Sequence, residues 1–198
     1  MKDVNVLMVG VGGQGVILAS DAMAEIGTNA GYDVKKTDSL GMAQRGGSVV
    51  SNVRWGEKVF SPMIKKGEVD FLVSFEEVET VRWAAWLKPG GVVIAADVVV
   101  IPISAMSGAF PYPDWEEIKG ALEDRAEKVY LIPATRIGQE VGNPKALNIV
   151  MMGALSTFLD LETEKWLEDI RKKVPPKFLD SSLQAFHKGV EEIQAMKH

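Results

Sequence analysis

The sequence has no cysteine among its 198 residues and only two histidines. Without thiols, the chain can form no disulfide, no thiolate zinc site and no cysteine-ligated iron–sulfur cluster. His198 ends the chain, and His187 falls on a predicted helix beside Phe186, where a lone histidine is usually structural. No Ser–His–Asp arrangement and no paired carboxylates stand out. We therefore assign no catalytic residue and no metal ligand from the sequence.

Long apolar stretches and clusters of basic residues are also missing. No segment approaches the ~20 uninterrupted apolar residues of a membrane-spanning helix. The N-terminus leads directly into an apolar run, unlike a signal peptide. The net charge is −5, and the 22 basic and 27 acidic residues are interspersed, whereas binding to nucleic acid requires clustered Lys and Arg. We expect a cytoplasmic protein that binds neither membranes nor nucleic acids.

Short apolar runs alternate with amphipathic segments along most of the chain. The runs 4–9, 69–74, 92–96 and 129–133 predict buried strands, and the segments 16–30, 76–88 and 115–127 predict helices. This alternation predicts a three-layer α/β/α, Rossmann-like fold with a largely parallel sheet covered on both faces. The length suits one domain, residues 1–198, with a helical extension over about residues 162–198.

Two regions depart from this alternation. Residues 48–61 hold two β-rich runs around Gly56-Glu57, which predicts a hairpin and therefore a mixed sheet. The C-terminal third is helical throughout. Asn143-Pro144 predicts a helix start, with Asn as the N-cap and Pro at the first helical position. The apolar run 146–161 then predicts a helix buried in the core or in a subunit interface, and helices over 163–173 and about 180–196 follow.

The run Gly10-Val11-Gly12-Gly13-Gln14-Gly15 lies between a predicted strand and a predicted helix. Glycines allow a tight turn and a close approach to a ligand, and the N–H groups and dipole of a helix N-terminus favour an anion. The spacing also fits the dinucleotide-binding pattern Gly-x-Gly-x-x-Gly. The plainer interpretation is that these glycines only permit close packing of strand and helix.

Binding of NAD would also require an acidic residue about 20 positions further on, at the end of a second strand. Asp38 is near that distance. However, the segment Asp33-Val34-Lys35-Lys36-Thr37-Asp38 has one apolar residue and makes a poor buried strand, which weakens the case for NAD.

A second glycine-rich segment runs from Ser39 to Ser48. Arg45 within it could clamp a phosphate with two hydrogen bonds, and loops at strand ends of open α/β sheets are where ligands usually bind. A flexible surface turn with a solvated arginine is the plainer alternative. Asn148, on the apolar helix after Asn143, is a polar side chain that needs partners, either within a structural network or from a ligand.

The two loops together resemble the gamma-type domain of 2-oxoacid:ferredoxin oxidoreductases. The matching segments are Gly12-Gly13-Gln14-Gly15 and Gly41-Met42-Ala43-Gln44-Arg45-Gly46-Gly47-Ser48, in this order and at this separation. The second segment is most similar to the beta subunit of the indolepyruvate type. Further similarity at Leu87-Lys88-Pro89-Gly90-Gly91 and Gly142-Asn143-Pro144 extends the resemblance from about residue 4 to 186.

This resemblance implies a subunit of an enzyme that oxidatively decarboxylates a 2-oxoacid to an acyl-CoA and reduces ferredoxin. Thiamine diphosphate and the iron–sulfur clusters would belong to a large alpha subunit, and this chain would contribute to coenzyme A binding. The implied binding residues are Gly10, Gly12, Gly13, Gln14, Gly15, Ser39, Gly41, Gln44, Arg45, Gly46, Gly47, Ser48, Asn143 and Asn148. Two alternatives stay open, namely a free-standing NAD(P)- or FAD-binding dehydrogenase and a purely structural assembly subunit.

Overall fold

A six-stranded mixed sheet forms the centre of the molecule. The computed structural model describes residues 3–41, 47–101 and 111–197. Within them the strand order is β2-β3-β1-β4-β5-β6, where β1, β4, β5 and β6 are parallel and β3 runs antiparallel to both β1 and β2. The strands are β1 (Val4–Val11), β2 (Asp33–Leu40), β3 (Ser48–Gly56), β4 (Val69–Ser74), β5 (Leu87–Ala96) and β6 (Lys128–Ile132).

Helices cover both faces of this sheet, as the alternating pattern predicts. One face carries α1 and α4 to α7, and the other carries α2 and α3. The three-layer α/β/α fold is thereby confirmed. The helices are α1 (Val16–Asn29), α2 (Glu77–Trp83), α3 (Trp115–Glu123), α4 (Ala134–Glu140), α5 (Leu147–Ser156), α6 (Thr163–Lys173) and α7 (Leu179–Lys197), with 3-10 turns at Ala84–Trp86 and Pro176–Phe178.

Strand β1 shows why the central strands read as continuous apolar runs. Val6 and Met8 point into the core under α1 and α5, whereas Leu7 and Val9 point into the core under α2 and α3. A parallel strand between two helical layers has no face in water, so both sets of alternating side chains must be apolar. Burying each such side chain stabilises the fold by about 1.5–3 kcal/mol.

The hairpin predicted over residues 48–61 is wrong, although the mixed sheet that it implied is correct. Strand β3 pairs with β2 instead, with Asp33 opposite Gly56 and Leu40 opposite Val49. Residues 58–61 form no strand. The run Lys-Val-Phe-Ser there is short and ends at Pro62, which has no N–H for a ladder.

The segment 33–38 is a strand after all, and its position explains its composition. β2 lies at the edge of the sheet and is half-buried at most. An edge strand needs few apolar residues, and its charged side chains protect the open edge against pairing with other chains. Lys36 lies 2.8 Å from Asp21 of α1 and 2.6 Å from Asp38, so its charge is neutralised within the fold.

The C-terminal helices differ in detail from the predicted ones. Helix α5 begins at Leu147 with Ala146 as its N-cap, and no side chain in the part of the chain that the structure describes caps it. Asn143 therefore is not the N-cap. Its backbone oxygen accepts a hydrogen bond from Ala146 N at 2.9 Å and closes a turn before the helix. Helix α4, which follows β6 directly, was not predicted, and α2 ends earlier than expected because the 3-10 turn and β5 take up residues 84–88.

None of the helices in the three described ranges combines the length and the apolar content needed to cross a bilayer.

Candidate functional site

The topology creates a crevice at the carboxyl ends of β1 and β4. The chain leaves β1 into α1 on one face of the sheet and leaves β4 into α2 on the other face. In open α/β sheets, neighbouring strands whose connections diverge in this way leave a gap where ligands bind. The first glycine-rich loop, residues 10–15, lies at this gap.

This loop leads into the N-terminus of α1, which no side chain of the described residues caps. Gly15 is the N-cap, with φ 82°, and Gly13 has φ 102°. Both lie in the left-handed region, where a β-carbon is strained, so the turn itself requires glycine. Within residues 3–41, 47–101 and 111–197, no side chain makes a capping hydrogen bond to this helix. The N–H groups of its first turn thus have no partner within the helix, which is the arrangement that binds anions.

Gln14 holds the loop in shape and also presents a donor. Its Oε1 accepts a hydrogen bond from Val11 N at 2.7 Å, while its Nε2 is buried and has no hydrogen-bond partner within the described residues. A β-carbon on Gly10 would lie 2.7 Å from Gln14 Oε1 and 2.9 Å from Phe75 Cβ. Gly10 therefore permits close packing, as the plainer interpretation holds, and this packing places the Gln14 amide.

The second glycine-rich segment meets the first through the antiparallel pairing of β1 and β3. Val11 pairs with Ser48, so the start of β3 lies beside the end of β1. Gly12 N donates a hydrogen bond to Gly47 O at 3.0 Å, and Gly41 N donates to Ser48 O at 2.8 Å. The structure thus brings Gly47 and Ser48 to the first loop, whereas Gly41 lies against Gly47 and Ser48 on the side of β2. Gln44, Arg45 and Gly46, also predicted at this site, lie outside the described residues.

Of the remaining predicted residues, Asn148 lies near the first loop, whereas Ser39 and Asn143 lie away from it. Asn148 lies against the loop, because a β-carbon on Gly15 would be 3.1 Å from Asn148 Cβ. Ser39 lies on edge strand β2, which β3 separates from β1, and its side chain is exposed. Asn143 is buried in the turn before α5 and does not line the cleft in front of the first loop.

An open cleft of about 580 Å³ lies in front of the first loop. Its walls come from the loop, from residues that follow β5 and β6, and from the start of α5. Sequence analysis missed several of these residues, among them Val98, Val100, Thr135 and Lys145. Lys145 is exposed and makes no ion pair with any described residue. The cleft therefore combines a helix N-terminus, an amide and an ammonium group, all suited to an anion.

Three carboxylates that sequence analysis did not select are buried at the start of α2. Glu76, Glu77 and Glu79 are 2%, 7% and 4% exposed. Glu76 is the N-cap of α2 and accepts a hydrogen bond from Glu79 N at 2.9 Å. Acidic residues shortly after a buried strand, at positions 76, 77 and 79, were the available signal. Buried charges need partners to be tolerated, so their contacts decide what they do.

Glu77 gives the molecule a dependence of stability on pH. Burial raises the pKa of its carboxyl group, and the charges of Glu76 and Asp97 raise it further. The folded chain thus keeps this proton to a higher pH than the unfolded chain does. The contribution to stability is complete below the unfolded pKa of about 4.3 and is lost as the pH rises through the folded pKa.

We therefore expect Glu77→Gln to stabilise the chain at about pH 8 and to have no such effect at about pH 4, because glutamine cannot ionise. Urea unfolding at a series of pH values measures the difference. The same change at the exposed Glu168 is the control. A stability gain for Glu77→Gln that is equal at all pH values would contradict the assignment.

Asp38, the acidic residue considered for NAD binding, has its carboxylate engaged within the fold. Asp38 lies on the edge strand, accepts a hydrogen bond from Ser51 Oγ and forms an ion pair with Lys36. In a dinucleotide-binding fold the second strand lies next to β1. Here β3, running antiparallel, occupies that position. The geometry therefore argues against the NAD alternative.

Comparison with known proteins identifies the family. Residues 5–192 match the family described as pyruvate ferredoxin/flavodoxin oxidoreductase. The chain belongs to this family. It is 37% identical over 199 residues to indolepyruvate oxidoreductase subunit IorB of Thermococcus kodakarensis, covering 99% of this chain and 98% of the relative. It is 31% identical over 189 residues to 2-oxoglutarate synthase subunit KorC of Methanocaldococcus jannaschii, covering 92% and 89%.

Solved structures of the family share the fold. The gamma subunit of keto/oxoacid ferredoxin oxidoreductase from Geobacter sulfurreducens superposes with a TM-score of 0.71 at 24% identity, over 97% of this chain and 99% of that one. A 2-oxoglutarate:ferredoxin oxidoreductase from Magnetococcus marinus gives 0.74 at 22% identity, over 98% of this chain. This chain spans 32% of the length of that larger one. The protein is thus a subunit of a 2-oxoacid:ferredoxin oxidoreductase and resembles the indolepyruvate type.

Proposed function

We propose that this chain forms part of the coenzyme A site of a 2-oxoacid:ferredoxin oxidoreductase that acts on indolepyruvate or a related aryl pyruvate. The observation that carries the proposal is the uncapped N-terminus of α1, which opens onto the cleft through Gly13 and Gly15. The chain acts as one domain, residues 1–198, within a hetero-oligomer.

Coenzyme A fits the chemistry of this cleft. It carries a pyrophosphate and a 3′-phosphate, and the N–H groups and dipole of a helix N-terminus stabilise such anions. The Lys145 ammonium adds a donor at the same cleft, Gln14 lines it with a buried amide nitrogen that has no partner among the described residues, and Arg45 is proposed as a further phosphate ligand. The Magnetococcus marinus structure, which was solved with 2-oxoglutarate, coenzyme A and succinyl-CoA bound, supports this choice of ligand.

The redox chemistry belongs to a partner. The chain has no cysteine, so it cannot hold an iron–sulfur cluster through thiolates. Within the described residues, no three His, Asp or Glu side chains are grouped closely enough to hold a metal ion. We assign thiamine diphosphate, the clusters and the contact with ferredoxin to a large alpha subunit. This chain binds and orients coenzyme A there and supplies no catalytic residue.

Relatives in which the same region is part of a longer chain support this division of labour. The chain matches ketoisovalerate oxidoreductase subunit VorA of Methanothermobacter marburgensis at 26% identity over 199 residues, which is 96% of this chain but 36% of the relative. A region that is a separate subunit in one enzyme and part of a larger chain in another is expected to work in contact with its neighbours.

We expect the purified chain alone to show no ferredoxin reduction with 2-oxoacid and coenzyme A, and the complex with its alpha subunit to be active. Reduction of ferredoxin, followed spectroscopically, measures this. Calorimetric titration of the complex with coenzyme A, NAD and FAD identifies the ligand. Activity of the lone chain, or micromolar binding of NAD without binding of coenzyme A, would contradict the proposal.

A further inference from the structure

The buried carboxylates at the start of α2 contact the end of the second glycine-rich segment, at Ser48, and the wall of the cleft, at Val100. Glu79 Oε2 accepts a hydrogen bond from Ser48 Oγ at 2.6 Å, across 31 residues of sequence. Its other oxygen lies 2.8 Å from Arg82 of the same helix. Both carboxylate oxygens of Glu79 therefore have partners. One of these partners, Ser48, is the residue that ends the second glycine-rich segment.

Glu76 likewise contacts residues distant in sequence, Val100 and Tyr112. Its Oε1 accepts hydrogen bonds from Tyr112 Oη at 2.5 Å and from Val100 N at 3.2 Å. Val100 lines the cleft. Burial and the neighbouring Glu76 carboxylate raise the pKa of Tyr112, so its hydroxyl stays protonated and donates. The first turn of α2 thus holds segments from two distant parts of the chain.

The residue next to Ser48 in the chain, Gly47, contacts the first glycine-rich loop. Gly47, directly before Ser48, accepts the hydrogen bond from Gly12 N at 3.0 Å. A shift of Ser48 therefore moves the group that fixes Gly12, and Gly12 lies in the turn that presents the N-terminus of α1. Burying three carboxylates within four residues is unfavourable because like charges repel, and such arrangements concentrate at functional sites.

We propose that Glu79 is a positioning residue for coenzyme A, acting through Ser48 and Gly47 on the first glycine-rich loop. This inference rests on the function proposed above. Glu79 does not touch the ligand. Its carboxylate fixes Ser48, Ser48 fixes Gly47, and Gly47 fixes Gly12. Loss of this chain of contacts weakens the binding of coenzyme A and leaves the decarboxylation chemistry in the partner subunit unchanged.

The test is a double-mutant cycle in the complex with the alpha subunit. Ser48→Ala and Glu79→Ala are each expected to raise the KM for coenzyme A about five- to tenfold, as loss of one ordinary net hydrogen bond predicts, with kcat and the KM for the 2-oxoacid changed less than about twofold. The double variant should match the single ones, since both changes remove the same contact. Glu79→Gln keeps an acceptor oxygen and should retain most of the affinity.

Controls separate positioning from general damage. The exposed Glu168→Ala is the matched control for loss of a glutamate. Ser48→Ala removes a single hydroxyl, so it tests the contact even where Glu79→Ala lowers stability. Strictly additive effects on the KM for coenzyme A, or a fall in kcat with equal changes in both KM values, overturn the inference.

The same data distinguish the two proposals. An unchanged KM for coenzyme A in the Ser48 and Glu79 variants, beside a raised KM in a variant of Gly15, overturns the role of Glu79 alone. An unchanged KM in all of them overturns the coenzyme A site itself.

Discussion

In the assembled enzyme, Gly15→Ala is expected to raise the KM for coenzyme A about tenfold to a hundredfold. Gly15 is the N-cap of α1 at φ 82°, where alanine is strained by about 1–2 kcal/mol. Its β-carbon would also lie 3.1 Å from Asn148 Cβ and 3.2 Å from Asn148 Nδ2. The turn and Asn148 must both move, so the N–H groups of α1 no longer converge on the anion. Steady-state kinetics with varied coenzyme A measure the change.

A second glycine provides the matched control. Gly31 follows α1 at its other end, has φ 90°, and its added β-carbon would meet no atom within 4 Å. Gly31→Ala therefore introduces the same kind of backbone strain away from the cleft. It should lower stability like Gly15→Ala and leave the KM for coenzyme A unchanged. If Gly15→Ala instead weakens assembly with the alpha subunit while the complex that still forms keeps its affinity for coenzyme A, the loop serves assembly and the structural alternative is correct.

The contrast between β1 and β2 shows what an apolar pattern can predict. Val6 to Val9 are buried on both sides, so the strand is visible as an unbroken apolar run. β2 has one buried neighbour and one open edge, and its charged residues Lys35, Lys36 and Asp38 gave no apolar signal. The antiparallel partner of β3 is the strand that precedes it, β2, and not residues 58–61 that follow it, and the composition of the two flanking segments did not predict which of them pairs.

The candidate site likewise contains residues that the local sequence predicted and residues that it did not. The glycines of the first loop were predictable because a strand, a tight turn and a helix follow one another along the chain. Lys145, Val100 and Glu79 come from three other segments, and only the sheet topology brings them to the same edge. Ser39 shows the converse, since a residue close in sequence to the second loop lies on the far side of β3.

The apolar pattern did not predict how the helices of the C-terminal third pack against each other. Gly153 and Gly189 sit within helices α5 and α7, where glycine normally costs about 1 kcal/mol relative to alanine. Here both are contact points between backbones. A β-carbon on Gly153 would lie 2.1 Å from Phe186 O, and one on Gly189 would lie 2.1 Å from Val150 O. The two helices cross at a distance that only glycine allows.

Gly153→Ala is therefore expected to destabilise the chain by about 3 kcal/mol, at the upper end of the effects of overpacking, because the obstructing atoms are backbone and cannot rotate away. For a chain of this size, the melting temperature should fall by about 6–12 °C. Thermal and urea unfolding of the full chain measure the loss. Gly120→Ala is the matched control, since Gly120 is exposed in α3 and an added β-carbon meets nothing within 4 Å. It should stabilise the chain by up to about 1 kcal/mol through helix propensity. Equal effects of the two substitutions would show that helix propensity alone decides both, and that α5 and α7 do not pack through their glycines.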